Sequence, residues 1–192
     1  MLLYNFAKVL FRIYFALFYR VKVEGTENIP AEGPLLLYAN HPSAWDMILI
    51  ACYMKRQVHF MAKVELFKNP IFAYILRTLG AFPVNRGKGD IASTKTVFKL
   101  LKLGKIVGIF PEGTRTPSKN LNKGKGGAAM FAIRSNAPVL PVGVVWNKKK
   151  FSTLRLVFGE TFVLEGNKSP TKTELIEETK NILNRIYALI GQ

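Results

Sequence analysis

Short runs rich in β-branched and aromatic residues alternate with amphipathic stretches along most of this chain, and that alternation is the strongest constraint on its fold. Seven runs fit strands: Arg20-Val23, Leu35-Ala39, Val58-Met61, Phe82-Val84, Ile106-Phe110, Val139-Val145 and Thr153-Phe158. Between them, apolar spacing predicts helices over Ser43-Tyr53, Pro70-Leu79 with Asn69 as cap, Ile91-Leu103 ended by Gly104, and Lys125-Ser135. A last helix, Lys172 to about Ile190, follows Ser169-Pro170-Thr171. Such alternation predicts an α/β layered domain with a largely parallel or mixed central sheet flanked by helices. In sheets of this kind, sites form at the carboxyl ends of strands. The segment Gly113 to Lys125, rich in Pro, Ser, Asn and Gly, is expected to be a linker. Pro138 and Pro141 suit an edge position or a rigid approach to the sixth strand.

Directly after the apolar run Leu35-Ala39 comes Asn40-His41-Pro42-Ser43-Ala44-Trp45-Asp46, which pairs a base with a carboxylate. Inside one regular helix, a five-residue separation would place His41 and Asp46 about 140° apart around the axis. His41 is therefore expected to precede the helix. With Pro42 and Ser43 opening it and Asp46 in the first turn, the carboxylate can accept a hydrogen bond from the imidazole. The other ring nitrogen is then free to take a proton. The same residues equally fit a capped helix start in which His and Asp are merely polar. The second His, His59, has no carboxylate within five residues. The single Cys52 lies in an apolar stretch and reads as a buried core thiol.

Residues 1–20 form a separate question from the α/β domain expected over residues 21–192. Leu2 to Arg20 is apolar and aromatic almost throughout, without Pro or Gly, so a helix is predicted. Asn5, Lys8 and Arg12 recur as one polar stripe. Charges in mid-segment argue against a cleaved signal peptide. They also weaken a single-pass span, since Lys8 and Arg12 would each cost roughly 2.5 to 3.5 kcal/mol near its centre. An amphipathic membrane-interface helix is expected, with aromatic residues in the acyl boundary and the basic stripe toward head groups.

The chain has 192 residues, and its formal charge is +16, from 28 Lys and Arg against 12 Asp and Glu. One domain accommodates this length, and the partner of so positive a surface should be anionic. Between Gly33 and Gly159 the only carboxylates are Asp46, Glu65, Asp90 and Glu112. Glu112 belongs to Phe110-Pro111-Glu112-Gly113-Thr114-Arg115, which ends an apolar run. Its Gly lets backbone N–H groups approach a ligand, and Arg115 offers a planar fork suited to phosphate. Taken alone, this is equally a strand-to-loop turn. Gly80-Ala81-Phe82-Pro83-Val84-Asn85-Arg86-Gly87 again places an Arg after a short strand, and taken alone Arg86 is a solvated turn residue.

His41 and Asp46, Arg86, the run Phe110 to Arg115, and Pro138 to Pro141 follow in the order and approximate spacing of the four motif blocks of glycerolipid acyltransferases. The chain most closely resembles the bacterial 1-acyl-sn-glycerol-3-phosphate acyltransferases, the PlsC type. Lys63-Val64-Glu65-Leu66-Phe67 also looks like that family's lysine-containing segment. Two departures stand out: Asn85 precedes Arg86 where many relatives have an acid, and Thr116 follows Arg115 where Ser is frequent.

The resemblance implies transfer of a fatty acyl group from an acyl-carrier protein or coenzyme A thioester to the 2-hydroxyl of lysophosphatidic acid. It makes His41 the base, with Asp46 holding its tautomer. Arg115, Arg86 and Lys63 are expected to meet the acceptor phosphate, beside Gly113 and Thr114. Glu112 is expected to orient Arg115 or to bond a glycerol hydroxyl. No metal or other cofactor is expected, the thioester being a co-substrate. Pulling an acyl chain of about sixteen carbons into water would cost on the order of 10 kcal/mol. The enzyme is therefore expected to meet its acceptor at the bilayer; its expected location is peripheral, on the cytoplasmic face of the cell membrane, and no nucleic-acid partner is expected. Another lysolipid acceptor in the same family, a lipid esterase, and a non-enzymatic anionic-surface binder using Lys148-Lys149-Lys150 beside Trp146 and Phe151 are the competing readings.

Overall fold

The computed structural model describes residues 2–85, 90–146, 149, 151–167 and 169–192. Seven strands, β1 (Arg20–Glu24), β2 (Leu35–Ala39), β3 (Val58–Lys63), β4 (Phe82–Val84), β5 (Ile106–Ile109), β6 (Val139–Trp146) and β7 (Thr153–Phe158), form one sheet in the order β1-β7-β6-β2-β5-β3-β4. Only β6 and β7 pair antiparallel, so the sheet is mixed with a parallel centre, as the alternating pattern predicts. Among the described residues six helices accompany it: α1 (Leu2–Phe18), α2 (Asp46–Tyr53), α3 (Pro70–Thr78), α4 (Ile91–Lys102), α5 (Gly127–Ser135) and α6 (Lys172–Ala188).

β2, buried along its whole length, divides its side chains between two cores. Leu35, Leu37 and Ala39 join α1 and α2 on one face, while Leu36 and Tyr38 join α4, α5 and α6 on the other. A strand apolar at every position therefore marks the sheet centre. Local chemistry fixes the helix ends. Asn69 Oδ1 accepts from Ile71 and Phe72 N–H ahead of Pro70, Asp90 caps α4, and a reciprocal Thr171–Glu174 capping box opens α6.

Three expectations are corrected. α2 begins at Asp46 rather than Ser43: the Asp46 carboxylate accepts from Ser43 N–H at 2.8 Å, so residues 43–45 form a turn ahead of the helix. β6 is an interior strand between β7 and β2, not an edge. Pro141 is tolerated there because it lies on the side away from β2, where its carbonyl accepts from Gly159 N–H at 2.9 Å and the neighbouring bonds are made by Val139 with Phe162. Residues 113–125 do not link domains. They run as a loop over the carboxyl ends of the strands, fastened by Thr116 N–H to His41 C=O at 2.8 Å and by Lys125 N–H to Pro111 C=O at 3.1 Å.

α1 packs on α2, with Phe15 fully buried in the first core. Lys8 Nζ donates to Met54 C=O at 2.6 Å, capping the carbonyl end of α2. The polar stripe therefore lies along one flank of α1, and Lys8 is turned toward the domain. Leu2, Phe6, Val9, Leu10, Ile13 and Leu17 are left exposed on the outer side. Phe15→Ala is expected to lower the unfolding free energy by about 3 to 5 kcal/mol. Urea denaturation checks this; a loss below about 1 kcal/mol would mean that α1 is not part of the core.

Candidate active site

β2, β5, β3 and β4 lie side by side and parallel, so their carboxyl ends deliver His41, the segment 110–115, Lys63 and Val84 to one edge of the sheet. His41 follows β2 by two residues and is buried. Its Nδ1 lies 2.8 Å from Asp46 Oδ2. An ionised carboxylate only accepts, so the proton of this pair sits on Nδ1 and the lone pair on Nε2. The hydrogen bond expected between imidazole and carboxylate is made, and the same Asp46 oxygen also holds the turn before α2.

The backbone of His41 is held as firmly as its ring. Glu112 Oε2 accepts its N–H at 3.2 Å, and its C=O accepts from Thr116 N–H at 2.8 Å. Glu112 Oε1 in turn accepts from Tyr187 Oη, which reaches in from the last turn of α6. Phe110 stacks on the imidazole with ring centroids 3.9 Å apart and planes 14° apart, and Phe60 continues the column at 5.8 Å from Phe110. Gly108 makes room for that column, since a Cβ there would meet Phe60 Cε1 at 2.3 Å. Asn40 acts as one more rung of the sheet: its Oδ1 accepts from Val144 N–H at 2.7 Å and its Nδ2 donates to Val144 C=O at 2.9 Å.

A cleft of about 200 Å³ opens beside His41, lined mainly by Met61, Val84, Ile109, Phe110, Ala128 and Phe131. Gly113 and Lys125 stand at its polar side, with Gly113 at φ 68° and the Lys125 side chain 3.0 Å from where its Cβ would be. Thr114 and Arg115 are exposed on the same loop, and Lys63 is exposed at the end of β3. Arg86 lies outside the described residues. Glu112 is 1% exposed and its oxygens bond His41 N–H and Tyr187 Oη, so here it holds the segment that carries His41 rather than facing Arg115. Tyr187 and Lys125 carry no local sequence signal, being brought in by the fold from α6 and from the residues just before α5. His59 is remote in role, its Nδ1 lying 3.1 Å from Gly80 C=O. Cys52 is buried in α2, and desolvation pushes its thiol up to about 11, so it is inert.

Burial raises the carboxyls of Asp46 and Glu112 above their ordinary values. Hydrogen bonds from His41 and Ser43 oppose the shift at Asp46, and bonds from Tyr187, His41 and Thr116 oppose it at Glu112. Arg115 adds a favourable charge toward Asp46. The other oxygen of Asp46, Oδ1, is buried without a partner among the described residues.

The folded chain therefore holds the Asp46 proton more tightly than the unfolded chain, where the ordinary value is 3.8. Stability from this group rises as pH falls from neutrality through the folded pKa, and levels off below the unfolded one. Wild type is expected to gain in thermal midpoint relative to Asp46→Asn between neutral pH and about pH 4. A gap that stays flat or narrows on acidification would contradict the raised value.

The sequence matches the Acyltransferase family over residues 20–145. It is 34% identical to a 1-acyl-sn-glycerol-3-phosphate acyltransferase of Bacillus subtilis, over 97% of this chain and 96% of that protein. A Pseudomonas aeruginosa protein of the same name is 30% identical over 90% of this chain and 70% of its own length. The crystal structure of the 1-acyl-sn-glycerophosphate acyltransferase PlsC from Thermotoga maritima superposes with a TM-score of 0.71 at 28% identity, covering 99% of this chain and 79% of that one. Matched by the family over residues 20–145 and by a relative along nearly its whole length, the chain belongs to the acyltransferase family, among the PlsC-type glycerolipid acyltransferases.

Proposed function

We propose that this enzyme transfers a fatty acyl group from a thioester to the 2-hydroxyl of lysophosphatidic acid, giving phosphatidic acid. The observation that carries the reading is the His41–Asp46 pair at the mouth of an apolar cleft whose polar side is cationic. The names of its relatives supply the acceptor.

In this reading the acceptor hydroxyl donates to His41 Nε2 while its oxygen attacks the thioester carbonyl. The proton passes to the imidazole, the tetrahedral intermediate collapses, the C–S bond breaks, and the imidazolium returns the proton to the departing thiolate. Asp46 fixes the tautomer and offsets the imidazolium charge. The Phe110 ring prevents the imidazole from tilting, and the bonds from Glu112 and Thr116 keep its backbone in place, which preserves the attack geometry. The apolar lining from Met61 to Phe131 receives acyl chain. Lys125, Arg115, Lys63 and Arg86 answer the acceptor phosphate, which carries about −1.5 to −2 charges.

Among the described residues no helix is long and apolar enough to cross a membrane. The outward apolar face of α1 suits burial in one leaflet, which makes the enzyme peripheral, and the cytoplasmic face is where its thioester donors would be met. Coenzyme A and an acidic carrier protein would both be drawn to a surface of net charge +16.

Incubating the purified enzyme in liposomes with one labelled thioester and a panel of lysolipids tests reaction, donor and acceptor together. Phosphatidic acid is the expected product, and free fatty acid released without acceptor would point instead to an esterase. His41→Ala and Asp46→Ala are each expected to lower transfer by about 10²- to 10⁴-fold with the circular dichroism spectrum unchanged. Full activity in either variant would remove it from the mechanism.

A further inference from the structure

Between two residues that line the cleft, Met61 and Val84, the chain makes an excursion that leaves an unusual amount of apolar surface in water. A 3-10 turn, Val64–Phe67, leads into α3, and of that nine-residue helix only Ala73 is buried. Ile71 is 73% exposed, Tyr74 70% and Phe72 49%, with Val64 and Leu66 exposed in the turn before them. Ile71, Tyr74 and Ile75 share one face of the helix by their three- and four-residue spacing. An exposed Asn69 cap and Pro70 fix the helix start without help from the core.

The topology gives this patch a direction. From β2 to β3 to β4 the chain steps one way across the sheet, and from β4 to β5 to β6 it steps back. Right-handed crossovers then place α3 on the face occupied by α2, opposite α4 and α5. α1 packs on α2, and its own outer side exposes Leu2, Phe6, Val9, Leu10, Ile13 and Leu17. Two apolar helical surfaces therefore look away from the same side of the molecule.

Charge selects the occupant. The excursion carries Lys63, Lys68 and Arg77, all exposed, against the single Glu65, and α1 adds the exposed Arg12 with no acid. A second copy of the chain would bring the same positive residues against these, whereas an anionic bilayer offers apolar depth ringed by negative head groups. We propose that α3 and the turn before it are a second membrane contact, which with α1 seats the mouth of the cleft on an anionic bilayer. The proposal rests on the lipid-acceptor reading above only for its benefit to catalysis; the contact itself is a matter of surface chemistry.

The test uses the full chain, vesicles of phosphatidylglycerol and phosphatidylcholine in equal parts, and the double variant Ile71→Asp/Tyr74→Asp, at positions exposed enough to leave the fold intact. A control, Ile91→Asp/Leu103→Asp, adds the same charge at positions of α4 that are 70% and 61% exposed on the opposite face. Wild type and control are expected to float with the vesicles, and the α3 variant to bind about tenfold more weakly with an unchanged thermal midpoint. Its transfer to a vesicle-embedded acceptor should fall in step, while transfer to a dispersed short-chain lysolipid stays within about twofold of wild type. Wild-type flotation by the α3 variant overturns the proposal, as does an equal loss in the control. It is also overturned if the variant keeps vesicle binding but loses only carrier-protein-dependent transfer, or if wild type self-associates through this patch. If wild type acylates no lysolipid, the acceptor reading fails, yet selective loss of flotation in the α3 variant still supports the contact.

Discussion

His41 is gripped from four directions, and the rest of the site is arranged around that grip. Asp46 holds one ring nitrogen, Phe110 covers a ring face, Glu112 takes the backbone N–H, and Thr116 donates to the carbonyl. These partners come from the start of α2 and the loop after β5, and Glu112 is itself held by α6 through Tyr187. A single short segment after the central strand thereby ties together elements from both faces of the sheet. Asp46 restrains rotation of the ring, Phe110 restrains tilt of its plane, and Glu112 and Thr116 together restrain drift of the backbone.

The grip has an energetic cost that falls on the carboxylates. Asp46 and Glu112 are both buried, and burial drives their carboxyls up. Hydrogen bonds compensate only in part at both groups, and Oδ1 of Asp46 has no partner among the described residues. Groups whose charge is opposed by their surroundings are poor choices for stability, and they cluster where a fold keeps chemistry. An anion already in place, with dipoles that need not reorganise, favours proton arrival at His41 without further rearrangement.

Much of the fold was legible because it is written locally. A short continuously apolar run such as β2 differs plainly from the period-3.6 pattern of α4, and the seven strands and six helices among the described residues fall close to where those patterns place them. His41 and Asp46 were legible for the same reason, standing five residues apart beside a strand end. The start of α2 was misread because Ser43 is a favourable cap; Asp46 outcompetes it by reaching back to the Ser43 N–H. Glu112 suggested a ligand contact from its motif, and its actual partners lie 71 and 75 residues away in sequence. Nothing in the spacing of Tyr187, Thr116 or Lys125 announces such meetings, which depend on where crossovers and the loop over the strand ends bring the chain. Pro141 shows the same limit in the sheet: residue type argued for an edge, while the direction in which its nitrogen points is a property of the register.

The missing side chain at Gly108 has a consequence that reaches from the interior to the surface. Because that residue leaves its side of β5 bare, Phe60 lies flat against the strand and aligns Phe110, and through it the imidazole. The orientation of the imidazole ring is thus inherited from a stack of aromatic planes rooted in the centre of the molecule. Such a column acts as a mechanical linkage. Substitutions in the interior that merely change the thickness of the stack would be read out as altered aim at the substrate, well before they were felt as any loss of folding.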